Sequence, residues 1–361
     1  MVGGPGLAFE TWVCPRSVVD GPAVPCQPQL LQPESPLSPC HPDQREICSA
    51  PRGSLKSFLE SDPEQPQSLC YLAKFHLMPD HLTSMRLDAH QHFWRYSPTE
   101  HTWMTDKMGA LKHDFFPADL DPLLKSIQFD GCVAVQARQS LEETEWLLDL
   151  AERHSFIKGV VGWVDLQSEN LGEQLQKFSL RPKLAGVRHV VHDEPDDHFM
   201  LRSQFRRGIA QLQEFGLRYD LLLFPKHLPV AVQLVEEFPQ QPFVLDHIAK
   251  PGIAHGVISP WQEDLRRLAE FPNVFCKLSG MVTEARWEQW QPYDFQRYLD
   301  VTVEAFGASR LMIGSDWPVC TLSGNYAAVM NIVIDYVRQF PPQAQAAILG
   351  ENCARFYGIG N

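Results

Sequence analysis

His90 and His92, in the stretch Arg86-Leu87-Asp88-Ala89-His90-Gln91-His92-Phe93-Trp94, are the residues of this chain best suited to chemistry. A strand repeats its side-chain direction every two residues, so Asp88, His90 and His92 are expected on one face. Two imidazoles at that spacing can grip a divalent metal or polarise a carbonyl together. Near the other end, Leu311-Met312-Ile313-Gly314-Ser315-Asp316-Trp317-Pro318 sets a lone carboxylate after an apolar run. Asp316 alone reads equally well as a helix cap. An early His-x-His with a late strand-end Asp points to hydrolytic chemistry on a barrel of parallel strands.

Such side chains need strands to carry them, and eight apolar runs follow Met85. They are Leu87 to His90, Cys132 to Gln136, Val160 to Val164, Ala185 to Val190, Arg218 to Leu223, Phe243 to His247, Val274 to Leu278 and Leu311 to Ser315. Their near-continuous hydrophobicity suits parallel strands covered on both faces. Helix punctuation lies between them. Ser140-Leu141-Glu142-Glu143 reads as a capping box, Ser259-Pro260-Trp261-Gln262 as a helix start with proline at its first position, and Phe306-Gly307 as a helix stop. Residues 85–361 therefore read as a (β/α)8 TIM barrel. An open doubly wound sheet competes, but no Gly-rich phosphate loop supports it.

In such barrels the active site forms at the C-terminal strand ends. The ends offer His90 and His92, then Arg188 or His189, then Asp246 or His247, and finally Asp316. Strict alternation lets only one member of each adjacent pair face the lumen, and Arg188 and His247 are the expected ones. Lys250 reads as either a loop lysine or a substrate contact, and His189 and His192 as supporting or surface groups. Trp94, Trp163 and Trp317 cluster at strand ends, where they either pack or form an apolar wall for a sugar ring.

Residues 1–84 differ sharply in composition. Runs such as Pro22-Ala23-Val24-Pro25-Cys26-Gln27-Pro28 fix φ and remove hydrogen-bond donors, so a largely disordered extension is expected. A chain starting at Met85 should fold and turn over as the full chain does; an insoluble or much less stable truncation would contradict this. Nine cysteines occur without CxxC spacing, five of them before residue 84 (Cys14, Cys26, Cys40, Cys48, Cys70). They read as thiols of a reducing compartment rather than a disulfide framework. A net charge of −13 with no basic stripe argues against nucleic acid. No apolar run approaches the roughly 18 residues that span a bilayer, and the N-terminus lacks the pattern of a signal peptide. The expectation is a cytoplasmic protein without a membrane partner; a homo-oligomer fits equally.

Residues 86–358 resemble the amidohydrolase-related family of metal-dependent hydrolases, in the branch that holds sugar-acid lactonases such as L-rhamnono- and L-fucono-lactonases. The resemblance rests on Asp88-Ala89-His90-Gln91-His92-Phe93-Trp94, Gly186-Val187-Arg188-His189, Leu245-Asp246-His247-Ile248-Ala249-Lys250-Pro251, Cys276-Lys277-Leu278-Ser279-Gly280, Gly314-Ser315-Asp316-Trp317-Pro318 and Asn352-Cys353-Ala354-Arg355-Phe356-Tyr357-Gly358. It implies the barrel fold and lactone or amide hydrolysis, with His90, His92, His247 and Asp316 matching the family's metal-ligand positions. Binuclear relatives carry a carboxylated lysine or glutamate on strand four, where this chain has Arg188. At most one divalent metal is therefore expected, Zn²⁺ if any; a metal-free site is the alternative, because lactones are activated esters.

The resulting expectation is a hydrolase that opens an aldonolactone by water attack. Asp316 would act as general base, with its pKa raised by burial, while His90, His92 and His247 polarise the carbonyl. Arg188 and Lys250 would orient substrate oxygens, with Trp94 and Trp163 beside the sugar. The alternatives are a decarboxylase of an aromatic or muconate-type acid and a non-catalytic binding barrel.

Overall fold

The computed structural model describes residues 84–360. The expected disordered extension thus lies, but for its last residue, outside the described residues. Eight strands run parallel in chain order: β1 (Leu87–Gln91), β2 (Gly131–Val135), β3 (Ile157–Gly162), β4 (Leu184–His189), β5 (Arg218–Leu221), β6 (Phe243–Leu245), β7 (Val274–Leu278) and β8 (Leu311–Ile313). A parallel bridge between Gln91 and Trp317 brings the last strand back to the first. Asp316 N donates to His90 O at 2.8 Å and His92 N donates to Trp317 O at 2.7 Å across the same seam. The expected (β/α)8 barrel is the observed fold. Its closure, rather than any local sequence signal, sets Asp316 beside the two strand-one histidines.

Each strand sorts its side chains between two apolar clusters. Leu87, Ala89, Val133, Val135, Val161, Val244 and Met312 pack inside with Cys353, Phe356 and Tyr357 of the C-terminal helix Asn352–Tyr357. Cys132, Ala134, Val160, Phe243, Leu245, Leu311 and Ile313 face outward into the larger cluster shared with the helices. Near-complete burial on both sides is why the strands read as continuous apolar runs.

Three local expectations need correction. Leu87 and Ala89 point inward, so Asp88 lies on the opposite face, where Tyr326 Oη–H donates to it at 3.1 Å. A register shift between Asp88 and Gln91 turns His90 back into the lumen, so Asp88 does not share its face. Glu143 does not complete a capping box: Ser140 Oγ accepts its N–H at 3.2 Å, but its carboxylate instead accepts from Ala137 N at 2.6 Å and Arg138 N at 2.9 Å. Pro260 is the residue before the helix Trp261–Ala269, not its first member. The stop at Gly307 stands, closing the helix Tyr293–Phe306 with φ 67°.

Gly314 is required by the seam. A Cβ there would sit 2.8 Å from His90 Cβ, closer than such atoms approach, and a tight 3.1 Å from Ser279 Cβ. The four described cysteines, Cys132, Cys276, Cys320 and Cys353, are buried thiols. Among the described residues, no helix is long and apolar enough to cross a membrane.

Candidate active site

Three imidazoles converge on one oxygen of Asp316. Oδ1 lies 3.3 Å from His92 Nε2 and 3.9 Å from both His90 Nε2 and His247 Nε2. All four side chains are nearly sealed from solvent. Asp316 leaves β8 with φ 57°, in the left-handed region, and the turn Val319–Leu322 that follows has no side-chain cap. The helix-cap reading of Asp316 therefore fails. The expectation of a raised pKa fails as well: burial pushes the carboxyl up, but His247, the hydrogen bond with His92 and the nearby His90 outweigh it and hold it well below the usual range. Asp316 is ionised at any working pH.

The end of β6 breaks the alternation rule. Four consecutive residues, His247 to Lys250, have φ between 47° and 60°. A left-handed run that includes a β-branched isoleucine is sterically costly, and it turns the chain so sharply that neighbouring side chains enter the same space. Asp246 and His247 both face the lumen: Asp246 Oδ1 lies 3.3 Å from His90 Nδ1, and the His247 and His90 ring centroids are 4.3 Å apart. Gly280, with φ 62°, backs this turn, and a Cβ there would collide with the His247 ring. His247 Nδ1 lies 2.9 Å from Ser279 Oγ, and burial lowers its pKa to about 3, so the ring is neutral.

A layer of paired charges lies deeper in the lumen. Arg188 Nη1 donates to Asp246 Oδ2 at 3.1 Å and lies 3.3 Å from His90 Nε2, while Nη2 donates to Gln136 O. Lys277 Nζ lies 2.5 Å from Asp220 Oδ2, 3.0 Å from Asp246 Oδ1 and 3.2 Å from His90 Nδ1. Tyr357 Oη–H donates to Asp220 Oδ2 at 2.8 Å. Burial lowers Lys277, yet Asp220 and Asp246 more than restore its charge; burial raises Asp220 to about 6. Sequence reasoning gave Lys277 and Asp220 no role. The available signal was an ionisable residue at an inward position of an apolar strand, since charges are buried only when paired.

The other expected residues divide. Lys250 is partly buried, 3.2 Å from Glu284 Oε1; burial lowers its pKa, but Glu284 and Asp316 raise it more, so it stays charged. Trp163 is partly buried at the end of β3 and its Nε1–H donates to His189 Nδ1 at 3.4 Å. Trp94 is not a wall of the site. At 1% exposure it packs edge-on against Trp103 and Phe115 and donates Nε1–H to His113 O at 2.9 Å. His189 stacks on Phe199 and His192 on Phe224, which are supporting roles.

The donor set suits a divalent cation. His92 Nδ1–H donates to Val135 O at 2.8 Å, which leaves Nε2, 3.3 Å from Asp316 Oδ1, as the ring atom that would meet a cation. Arg188 and Lys277 are matched by Asp246 and Asp220, which leaves Asp316 without a fixed counter-charge among these lumen carboxylates. Its oxygen, His90 and His92 place ligand atoms within 4.8 Å of one another, as do His90, Asp246 and His247. Nitrogen and oxygen donors of this kind hold Zn²⁺ and similar ions. Each of these two groups, His90–His92–Asp316 and His90–Asp246–His247, could hold a divalent metal.

Comparison with known proteins agrees with this geometry. An L-fucono-1,5-lactonase of Burkholderia multivorans is 38% identical over 287 residues, covering 76% of this chain and 97% of that protein. An L-fucono-1,5-lactonase of Burkholderia ambifaria is 37% identical over 284 residues, covering 76% of this chain and 96% of that protein. The crystal structure of a Burkholderia multivorans amidohydrolase with bound zinc superposes with a TM-score of 0.74 at 38% identity, covering 76% of this chain and all of that one. The amidohydrolase family profile matches residues 87–359. With the barrel, its strand-end histidines and aspartate, and a profile match across every strand, this chain belongs to the amidohydrolase family and is a hydrolase.

Proposed function

We propose that this protein opens the ring ester of a sugar-acid lactone, with L-fucono-1,5-lactone as the first substrate to test. The observation that carries the reading is the convergence of three imidazole Nε2 atoms on an ionised, sealed Asp316. The lactonases that share 37–38% identity across the barrel supply the substrate class. Decarboxylation and a non-catalytic barrel have no comparable support.

In this mechanism Asp316 accepts a proton from the attacking water as its oxygen bonds to the lactone carbonyl carbon. Without an ion, His90 and His247, each with its proton on Nε2, would donate to the carbonyl oxygen as charge develops there, whereas His92, whose Nδ1–H is spent on Val135 O, would serve as a ligand to the ion. The tetrahedral intermediate collapses by breaking the bond to the ring oxygen, which takes the proton from Asp316. Because that carboxyl is held well below its usual range, the proton does not dwell on it. Lys250, and Arg188 through its otherwise unpartnered Nε–H, orient substrate oxygens, with Trp163 beside the sugar. One divalent ion, Zn²⁺ by the zinc-bound relative, would be held by His90, His92, His247 and Asp316 and would supply Lewis-acid polarisation.

The test is a lactone panel followed with a pH indicator, on metal-stripped and metal-loaded protein. L-fucono-1,5-lactone should release acid fastest and give no carbon dioxide. Failure to accelerate any aldonolactone above its spontaneous hydrolysis would end the proposal. His92→Asn should lower both kcat and the metal content found by elemental analysis. Normal metal content in that variant would remove His92 from the ligand set.

A further inference from the structure

We infer that the Lys277 ammonium is a built-in cation that positions His90 and occupies the place a second metal ion would take. The inference deepens the metal reading above and rests on it. Three polar atoms surround Nζ: the acceptors Asp220 Oδ2 of β5 at 2.5 Å and Asp246 Oδ1 just beyond β6 at 3.0 Å, and His90 Nδ1 of β1 at 3.2 Å. Two carboxylates and an imidazole nitrogen are themselves a metal-ligand set. An ammonium carries three donors and no acceptor, so it donates to Asp220 Oδ2 and lies as a counter-charge beside Asp246, while His90 Nδ1 keeps the proton that leaves Nε2 free to meet a metal. Its stem reaches this point from β7 across the Tyr357 ring, whose centroid is 5.5 Å from Nζ. Lys277, Asp220 and Asp246 are fully buried, so no solvent cation competes for the place.

The consequence is a division of His90 between two sides. Nδ1 faces Lys277 and Asp246, while Nε2 faces Arg188 and, at 3.9 Å, Asp316. The inner side is filled by protein cations and only the outer side can meet a metal held by His92, His247 and Asp316. Arg188 alone, standing on β4, does not exclude an ion bound among Asp220, Asp246 and Nδ1. Lys277 does. It is a positioning residue, because it touches neither the substrate place nor the outer donor atoms of Asp316 and His92.

Elemental analysis and thermal melts of full-length protein loaded with Zn²⁺ or Mn²⁺ test this without using turnover, so failure of the lactone reading leaves the result interpretable. Wild type should hold no more than one tightly bound ion per chain. Lys277→Ala removes the cation and opens space, and should hold one ion more than wild type, with a larger rise in Tm on metal addition. Lys277→Met removes the charge but keeps the bulk, and should show no extra ion. A folded Lys277→Ala with the wild-type metal count would overturn the inference. If Lys277→Ala is soluble only when purified with metal, the added ion replaces the lost ammonium, as inferred. If it folds under neither condition, the wild-type count decides: two tightly held ions refute the inference, and one or none upholds it.

Discussion

Asp316→Asn is expected to lower kcat on the best lactone by about 10²- to 10⁴-fold, the usual contribution of a general base. Asparagine keeps the size of the side chain and an oxygen that can face His92, but it cannot take a proton from water. Substrate should still bind, because Lys250 and Trp163 are untouched, so the loss should appear in kcat with KM changed only a few-fold. Stopped-flow acid release at saturating substrate measures this directly. Near-normal kcat would assign the base elsewhere. It would also leave the left-handed conformation at Asp316 without a chemical reason.

Arg188→Ala should be strongly destabilising. The Arg188 and Asp246 side chains are only 4% and 0% exposed. Removing one partner of such a pair leaves a buried carboxylate short of counter-charge, and the loss is about 3–5 kcal/mol. Lys277 remains beside Asp246 and should keep the loss toward the lower figure. Urea unfolding followed by tryptophan fluorescence would give the change in midpoint. From the sequence, Arg188 suggests a substrate clamp whose removal shows mainly in KM. The structure commits both of its terminal nitrogens to protein partners, so a fall in stability should accompany any kinetic effect. A variant as stable as wild type, changed only in KM, would show that Arg188 acts through its substrate contact alone.

The residues that would hold metal and move protons could be read from the chain because their signals are local. His90-Gln91-His92, Asp246-His247 and Asp316 each follow an apolar run, and a barrel brings every such strand end to one rim. The errors have an equally local origin. Side-chain parity assumes an unbroken pleat, and it fails where the register shifts after Asp88 and where φ turns positive from His247 onward. Trp94 sits beside the strand-one histidines in sequence, yet its buried ring packs edge-on against Trp103 and Phe115 from the segment that follows β1.

Composition and periodicity by themselves determined the barrel and the rim at which His90, His92, His247 and Asp316 meet, because hydrophobic burial acts through patterns a few residues long. The tertiary structure alone decided the charge layer beneath them. Lys277 meets Asp220 across 57 residues and His90 across 187, and Arg188 meets His90 across 98. No local pattern encodes which buried charges will face one another. Closure of the barrel sets that pairing, and in a low-dielectric interior each of these ions is tolerable only because its partner is there.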